Sequence, residues 1–360
     1  MSAETAVERT TTSRTSIRER GLPRGWYAWD AVLWTIVLLG LLWTVAGGPL
    51  TGDVPQSTIL RMLAIPFLFV HGIRRYGVRT LLIFSVVAYV ISTALENTSI
   101  WTGFPFGTYY YTGGEPWVFE VPFMVGINYI ALGYVSWQTA NALLGLADER
   151  LTLRSPEVWL LPVIAGAMMT MLDLTFDPIA STINHMWIWK EGGGYFGVPL
   201  TNFLGWWFVT YLFFQVFALY LARGKSPRLI PQTRQFWLSS IVMWANLGLI
   251  AVVGYVMTLD SEKTVTDVRG IVWGVHDIYE ACAIVAIFTV GVLGILAAAA
   301  IYKAMPAGAL PADEQSPVAD QLPMVDSGTS EIGRGVTPSR ELSPSGTHQP
   351  GGPGATQHQG

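Results

Sequence analysis

Val78-Arg-Thr-Leu-Leu-Ile-Phe-Ser-Val-Val-Ala-Tyr-Val-Ile-Ser-Thr-Ala-Leu-Glu96 is an apolar run that ends in an acid. Its length is close to the ~20 residues a helix needs to cross a hydrocarbon layer. A carboxylate inside or at the rim of that layer costs about 2–3 kcal/mol even on lenient insertion scales. A second such run, 158–177, carries Asp173 and Asp177 at its end. Working outward from these two runs, the chain contains eight apolar segments long enough to cross. They fall at 29–48, 57–73, 78–95, 118–145, 158–177, 199–222, 236–258 and 271–303. The second is the weakest, because it carries Arg61, Pro66 and His71. The eighth opens with His276, Asp277 and Glu280, so its apolar core starts later.

Composition agrees with that reading. The 360 residues are 51% hydrophobic and only 13% charged, where a soluble domain carries about a quarter charged. The expected fold class is an all-α polytopic membrane protein with about eight transmembrane helices. Three regions follow: a disordered N-terminal tail, 1–27; a transmembrane catalytic domain, 28–304; and a disordered tail rich in Pro, Gly and Ser, 305–360. One cysteine, Cys282, excludes a disulfide framework and a cysteine-based metal site. About 28 polar, Arg-containing residues precede the first apolar run, so no cleavable signal peptide is expected.

Lys and Arg sort by loop. Arg9, Arg14, Arg18, Arg20 and Arg24 precede the first segment. Arg74, Arg75 and Arg79 follow the second, Arg150 and Arg154 the fourth, and Arg223, Lys225, Arg228 and Arg234 the sixth. The alternate loops hold Lys190, Lys263 and Arg269, with Arg61 close by. By the positive-inside rule both termini are cytoplasmic, in a multi-pass protein of the cell membrane.

Two loops on the opposite, extracytoplasmic side are unusual. Trp101-Thr-Gly-Phe-Pro-Phe-Gly-Thr-Tyr-Tyr-Tyr111 and Trp187-Ile-Trp-Lys-Glu-Gly-Gly-Gly-Tyr-Phe-Gly197 set aromatics among glycines. They are expected to fold back over the helix ends as lids or re-entrant segments. Each follows an acid and leads to a Val-Pro dipeptide. From Glu96 to Pro122 is 26 positions, and from Asp173 to Pro199 is also 26. Proline suits a helix's first turn, where its missing N–H has no helical partner. The repeat implies two related hairpins presenting their acids to a shared cavity.

Asp173 and Asp177 lie four apart, on one helix face. One reading is a coupled acid pair in which one member keeps its proton, since burial and a like-charged neighbour both favour the neutral form. The other is that Asp177 caps a short helix starting at Pro178. Glu96 reads either as an interfacial glutamate or as part of the same site. His185 has no second histidine at ligand spacing, which favours a surface or lid role over a metal. His276, Asp277 and Glu280 read as interfacial. The aromatics Trp101, Phe104, Phe106, Tyr109, Tyr111, Trp187, Trp189, Tyr195, Phe203, Trp206 and Trp207 are dense beside the acids. Ring faces in a dry site stabilise a cation by about 2 kcal/mol or more each. Asn128 and Asn202 can hold a water or bond across helices. A dry pocket with a protonated acid and aromatic walls suits protonation of an alkene, followed by capture of the carbocation by water. Such chemistry needs no cofactor and no metal, and its substrate is an isoprenoid lipid reached from within the bilayer.

The chain resembles the CruF-type carotenoid biosynthesis proteins, which include bisanhydrobacterioruberin hydratase and carotenoid 1,2-hydratases. The resemblance rests on Glu96 with Thr102-Gly-Phe-Pro-Phe-Gly-Thr-Tyr-Tyr-Tyr111, Val121-Pro122 and Asp173-Leu-Thr-Phe-Asp-Pro-Ile-Ala180. Trp187-Ile-Trp189 and Gly194-Tyr-Phe-Gly-Val-Pro-Leu-Thr-Asn-Phe-Leu-Gly-Trp206 complete it. It covers roughly 30–304. The chain departs from the pattern at Ser99, where glycine is expected, and at Glu120, where a small residue is expected. The resemblance implies a hydro-lyase that adds water across the terminal C=C of an acyclic carotenoid end, giving a tertiary alcohol. The partners it implies are a lycopene-like or fifty-carbon polyene, water, the bilayer and other carotenoid enzymes, with no nucleic acid. On this reading Asp173 is the general acid, Asp177 tunes it or positions water, and Glu96 orients or deprotonates the water. Trp101, Phe106, Tyr109, Tyr111, Trp187, Trp189, Tyr195, Asn202 and Trp206 bind the substrate and its cation. The alternatives are a membrane prenyltransferase using Mg²⁺-diphosphate, and a transporter or pigment-binding protein.

Overall fold

Long apolar runs in lipid must satisfy every backbone group internally, and helices do so. A computed structural model describes residues 24–51, 56–224 and 232–305, and helices carry most of them. In chain order they are α1 Arg24–Thr51, α2 Gln56–Thr102, α3 Phe123–Leu143, α4 Glu157–Asp177, α5 Leu200–Ala222, α6 Arg234–Met257, α7 Val275–Val285 and α8 Val292–Ala304. A wider π turn, Pro178–Ile183, prolongs α4, and another, Ala286–Gly291, joins α7 to α8. The all-α multi-pass architecture therefore stands. The polar tails expected to be disordered lie almost wholly outside the described residues, although α1 already begins at Arg24.

The count of spans differs from eight. Among the described residues, six helical stretches are long and apolar enough to cross a membrane. Two reasons account for the difference. The second and third segments form one run, α2, broken only at Gly77, whose φ of 74° with ψ of 163° suits glycine alone. The fourth segment, α3, is long enough, but Asn128, Gln138, Thr139 and Asn141 dilute its apolarity. The weak second segment is explained by packing. His71 is fully buried between the rings of Phe67 and Phe236. Its Nε2 donates to the Phe236 carbonyl at 3.2 Å, and its Nδ1 meets the Tyr134 hydroxyl at 2.6 Å.

Prolines inside the bundle free carbonyls that neighbours then take up. Pro162 in α4 cannot donate to the Val158 carbonyl, and Gln215 of α5 does so at 3.0 Å. Pro178 likewise leaves the Leu174 carbonyl without its helical donor, and the Tyr195 hydroxyl fills that place at 3.2 Å.

The loops expected to fold back do so by pairing with each other. Strand β1, Tyr109–Tyr111, runs antiparallel to β4, Trp187–Trp189, with Tyr109 opposite Trp189, Tyr110 opposite Ile188 and Tyr111 opposite Trp187. Between them in sequence, β2 Trp117–Val118 pairs with β3 Val121–Pro122. Between the seventh apolar segment and the apolar core of the eighth, β5 Thr264–Thr266 forms a hairpin with β6 Val272–Gly274. Pro122 and Pro199 each stand just ahead of a helix, and the valine before each is fully buried. The two hairpins thus share a plan in space as well as in sequence.

Candidate active site

Helix ends place the acids. Glu96 lies six residues before the end of α2, because the helix runs on through Asn97 to Thr102. Asp173 and Asp177 lie in the last turns of α4. All three are buried, and Asp177 has no exposed surface at all. Glu96, Asp173 and Asp177 line one cavity of about 250 Å³ under the β1–β4 pair.

The acids are held by specific donors. Asn202, in the first turn of α5, bridges the pair: its Nδ2 donates to Asp173 Oδ2 at 2.8 Å and also to Asp177 Oδ2. The Trp187 indole of β4 donates to Asp177 Oδ1 at 3.1 Å. Asp177 itself has helical backbone angles and makes no side-chain capping bond, so the cap reading is overturned. The reason is that α4 continues as a π turn through Pro178, which leaves no helix start for Asp177 to cap. Glu96 accepts three phenols: Tyr109 and Tyr111 (3.0 Å) on Oε2, and Tyr129 (2.6 Å) on Oε1. Burial, followed by the neighbouring Glu96 charge, holds the Tyr109 and Tyr111 phenols well above their usual range. Both therefore remain donors at physiological pH.

Most residues singled out in the sequence meet here. Phe106, Tyr109, Tyr111, Trp187, Trp189, Asn202 and Trp206 line the cavity, and so does Asn128. Gly205 makes this possible for Phe106, since a Cβ there would lie 2.6 Å from the Phe106 ring and 3.0 Å from its Cα. Of the residues expected to bind the substrate, Trp101 and Tyr195 lie elsewhere, and so do the aromatics Phe104, Phe203 and Trp207. Trp101 is 60% exposed and packs edge-on against Phe119. Tyr195 packs on Phe196 and Phe203 behind the site, because its hydroxyl serves the carbonyl freed by Pro178. His185 is exposed, with φ 51°, and its carbonyl accepts from Thr112 at 2.6 Å. His276 stacks on Tyr255, and Asp277 and Glu280 are exposed. Among the described residues, no three His, Cys, Asp or Glu are grouped to hold a metal ion.

Tyr129 is the main residue the sequence did not mark. It is buried, donates to Glu96, and stacks on Trp206 with ring centroids 4.6 Å apart. Its neighbour Asn128 stands out as a polar group in an apolar segment, and the same argument reaches the Tyr129 hydroxyl. The apolar wall, which includes Met169, Leu172, Phe176, Leu247 and Ile250, carries no local signal distinct from ordinary core.

The family model of the carotenoid biosynthesis proteins matches residues 56–275. The chain belongs to that family. The match contains every acid and every aromatic of the cavity just described, from Glu96 to Ile250. No curated protein and no solved structure matches the chain. Membership gives this carotenoid biosynthesis protein a role in making carotenoids and a carotenoid as its substrate class. Its apolar helices make it a multi-pass membrane protein.

Proposed function

We propose that the protein hydrates the terminal double bond of an acyclic carotenoid end. The observation that carries this reading is the Asp173–Asn202–Asp177 bridge inside an apolar, aromatic-walled cavity. Two carboxyl groups on one amide cannot both be comfortably ionised there, so the pair shares a proton. Asp173 delivers that proton to the less substituted carbon of the double bond, leaving a tertiary cation on the other. The faces of Trp187, Trp189 and Trp206 stabilise it by about 2 kcal/mol or more each. Water adds to the cation, and the proton it loses returns to the acid pair. The product is a tertiary alcohol, and the pair ends as it began. Asp177, fixed by Asn202 and Trp187, positions the water.

Among the described residues, no lysine or arginine lines the cavity, which weighs against a diphosphate substrate, since such groups need cationic partners. With both termini cytoplasmic, the cavity opens toward the extracytoplasmic face.

Expression in cells that accumulate lycopene or a fifty-carbon acyclic carotenoid tests the reading. The expected result is a pigment heavier by one water per reacted end. Asp173→Asn should cut that product by about 10²–10⁴, the usual range for a general acid. Undiminished hydration by this variant would remove Asp173 from the mechanism.

A further inference from the structure

The Glu96 cage does more than fill space. A carboxylate presents about four lone-pair directions, and three are taken by Tyr109, Tyr111 and Tyr129. An acceptor-only carboxylate satisfies all three phenols at once. A protonated carboxyl would spend the fourth direction on its own hydrogen and accept more weakly on that oxygen. The cage therefore suits an anion, rigidly held, in a cavity that no lysine or arginine among the described residues lines. Such a site lacks a cation, and its open side faces the cavity.

We propose that Glu96 is a fixed counter-anion for a positive charge developing at the end of an apolar chain, with Tyr129 as the positioning residue that completes its cage. This replaces the expectation that Glu96 deprotonates the attacking water, because most of its accepting capacity is already in use. The ligand class is a long branched hydrocarbon ending in a cationic centre. During turnover that centre is the tertiary carbocation, and for its origin the inference rests on the hydration reading. A stable ammonium of the same shape binds the site directly, without any reaction.

The test is binding to the full-length protein in nanodiscs, with uptake by empty discs subtracted. The probes are a tritium-labelled C20 isoprenoid dimethylamine, protonated at neutral pH, and its uncharged carbon isostere. Wild type should retain the amine about tenfold more tightly than the isostere or better, the scale of one charge-assisted contact. Glu96→Gln should bring the two affinities to within about twofold, while Tyr129→Phe should fall between. Asp173→Asn should keep the preference. Equal affinities in wild type, or a preference that survives Glu96→Gln, would overturn the proposal. Should Glu96→Gln not accumulate, a Tyr111→Phe/Tyr129→Phe double variant decides: a preference cut about fivefold supports the cage, and an unchanged one refutes it. A preference without any hydrated pigment would fail the hydration reading alone. Hydrated pigment without a preference would fail the counter-anion alone.

Discussion

Asn202 gives one amide nitrogen to two acids, and the site depends on that economy. Without it Asp173 and Asp177 share a dry wall with no common donor, and their spacing is free to relax. A displacement of about 1 Å can cost roughly 10² in rate. Asn202→Ala should therefore lower hydrated pigment about 100-fold in the lycopene-accumulating host, although Asn202 supplies no proton. Tyr195 makes the opposite case. Its hydroxyl serves the Leu174 carbonyl rather than the cavity. Tyr195→Phe should cost about 0.5–1.5 kcal/mol of stability, the net worth of one hydrogen bond, since the Cys282 thiol still donates to that carbonyl at 3.9 Å, and leave the pigment product intact. Thermal unfolding in detergent beside pigment analysis separates the two effects. Both contrasts bear on legibility. The i,i+4 spacing of Asp173 and Asp177 is visible in the chain, whereas the α5 residue that bridges them is set by helix packing. Tyr195 looked like a cavity residue because its glycine-rich surroundings match those of Trp187 and Trp189. The Leu174 carbonyl, which Pro178 deprives of a helical donor, explains where it points.

Strands β1 and β4 form the smallest element with a large consequence. β1 carries Tyr109 and Tyr111 to Glu96, and β4 carries Trp187 to Asp177. Their register joins the two acid sites, and Tyr110 opposite Ile188 lies at its centre. The flanking bonds, Lys190 N–H to the Thr108 carbonyl and Thr112 N–H to the Met186 carbonyl, show the same alternation. It makes Tyr110 and Ile188 a hydrogen-bonded pair. Ile188→Pro removes one donor of that pair and should reduce hydration at least as much as Asn202→Ala, with helical content unchanged by circular dichroism. Ile188→Val should be silent. The phenols add a pH dependence with a definite sign. Burial and the Glu96 charge raise Tyr109 and Tyr111 above their unfolded value. The stability they contribute is complete below about pH 10 and is lost as pH rises beyond it. Unfolding temperature should fall above about pH 10, and less steeply in Tyr109→Phe.

The whole bundle keeps its charges at two separate levels. Helix α2 carries Glu96 in its last turns and Arg75 before the Gly77 break. The stretch from 78 to 96 alone covers about 27 Å at 1.5 Å per residue. At the far level Arg75 is fully buried, and its guanidinium clasps Asp148 at 2.6 and 3.1 Å. Glu149 lies 3.0 Å from the same guanidinium, and the Tyr76 hydroxyl donates to Asp148 at 2.8 Å. The Trp137 indole donates to that hydroxyl in turn, and the Trp237 ring lies against Arg75. The sequence made the spans legible because apolar length is a local property. It marks Arg74, Arg75 and Arg79 only as loop charge, since nothing local says that Asp148, beyond the end of α3, returns to meet Arg75. The helical run on both sides of Gly77 is equally hidden, because a glycine between two apolar runs reads as a turn between separate spans. This level lies about 27 Å along α2 from Glu96, and it should therefore govern stability without governing chemistry. Arg75→Met strands the Asp148 charge and should cost about 3–5 kcal/mol, as breaking a buried pair does. The expected readout is a lower unfolding temperature with the same hydrated pigment from whatever protein folds. A change in which double bond accepts water would instead mean that the two levels communicate along α2.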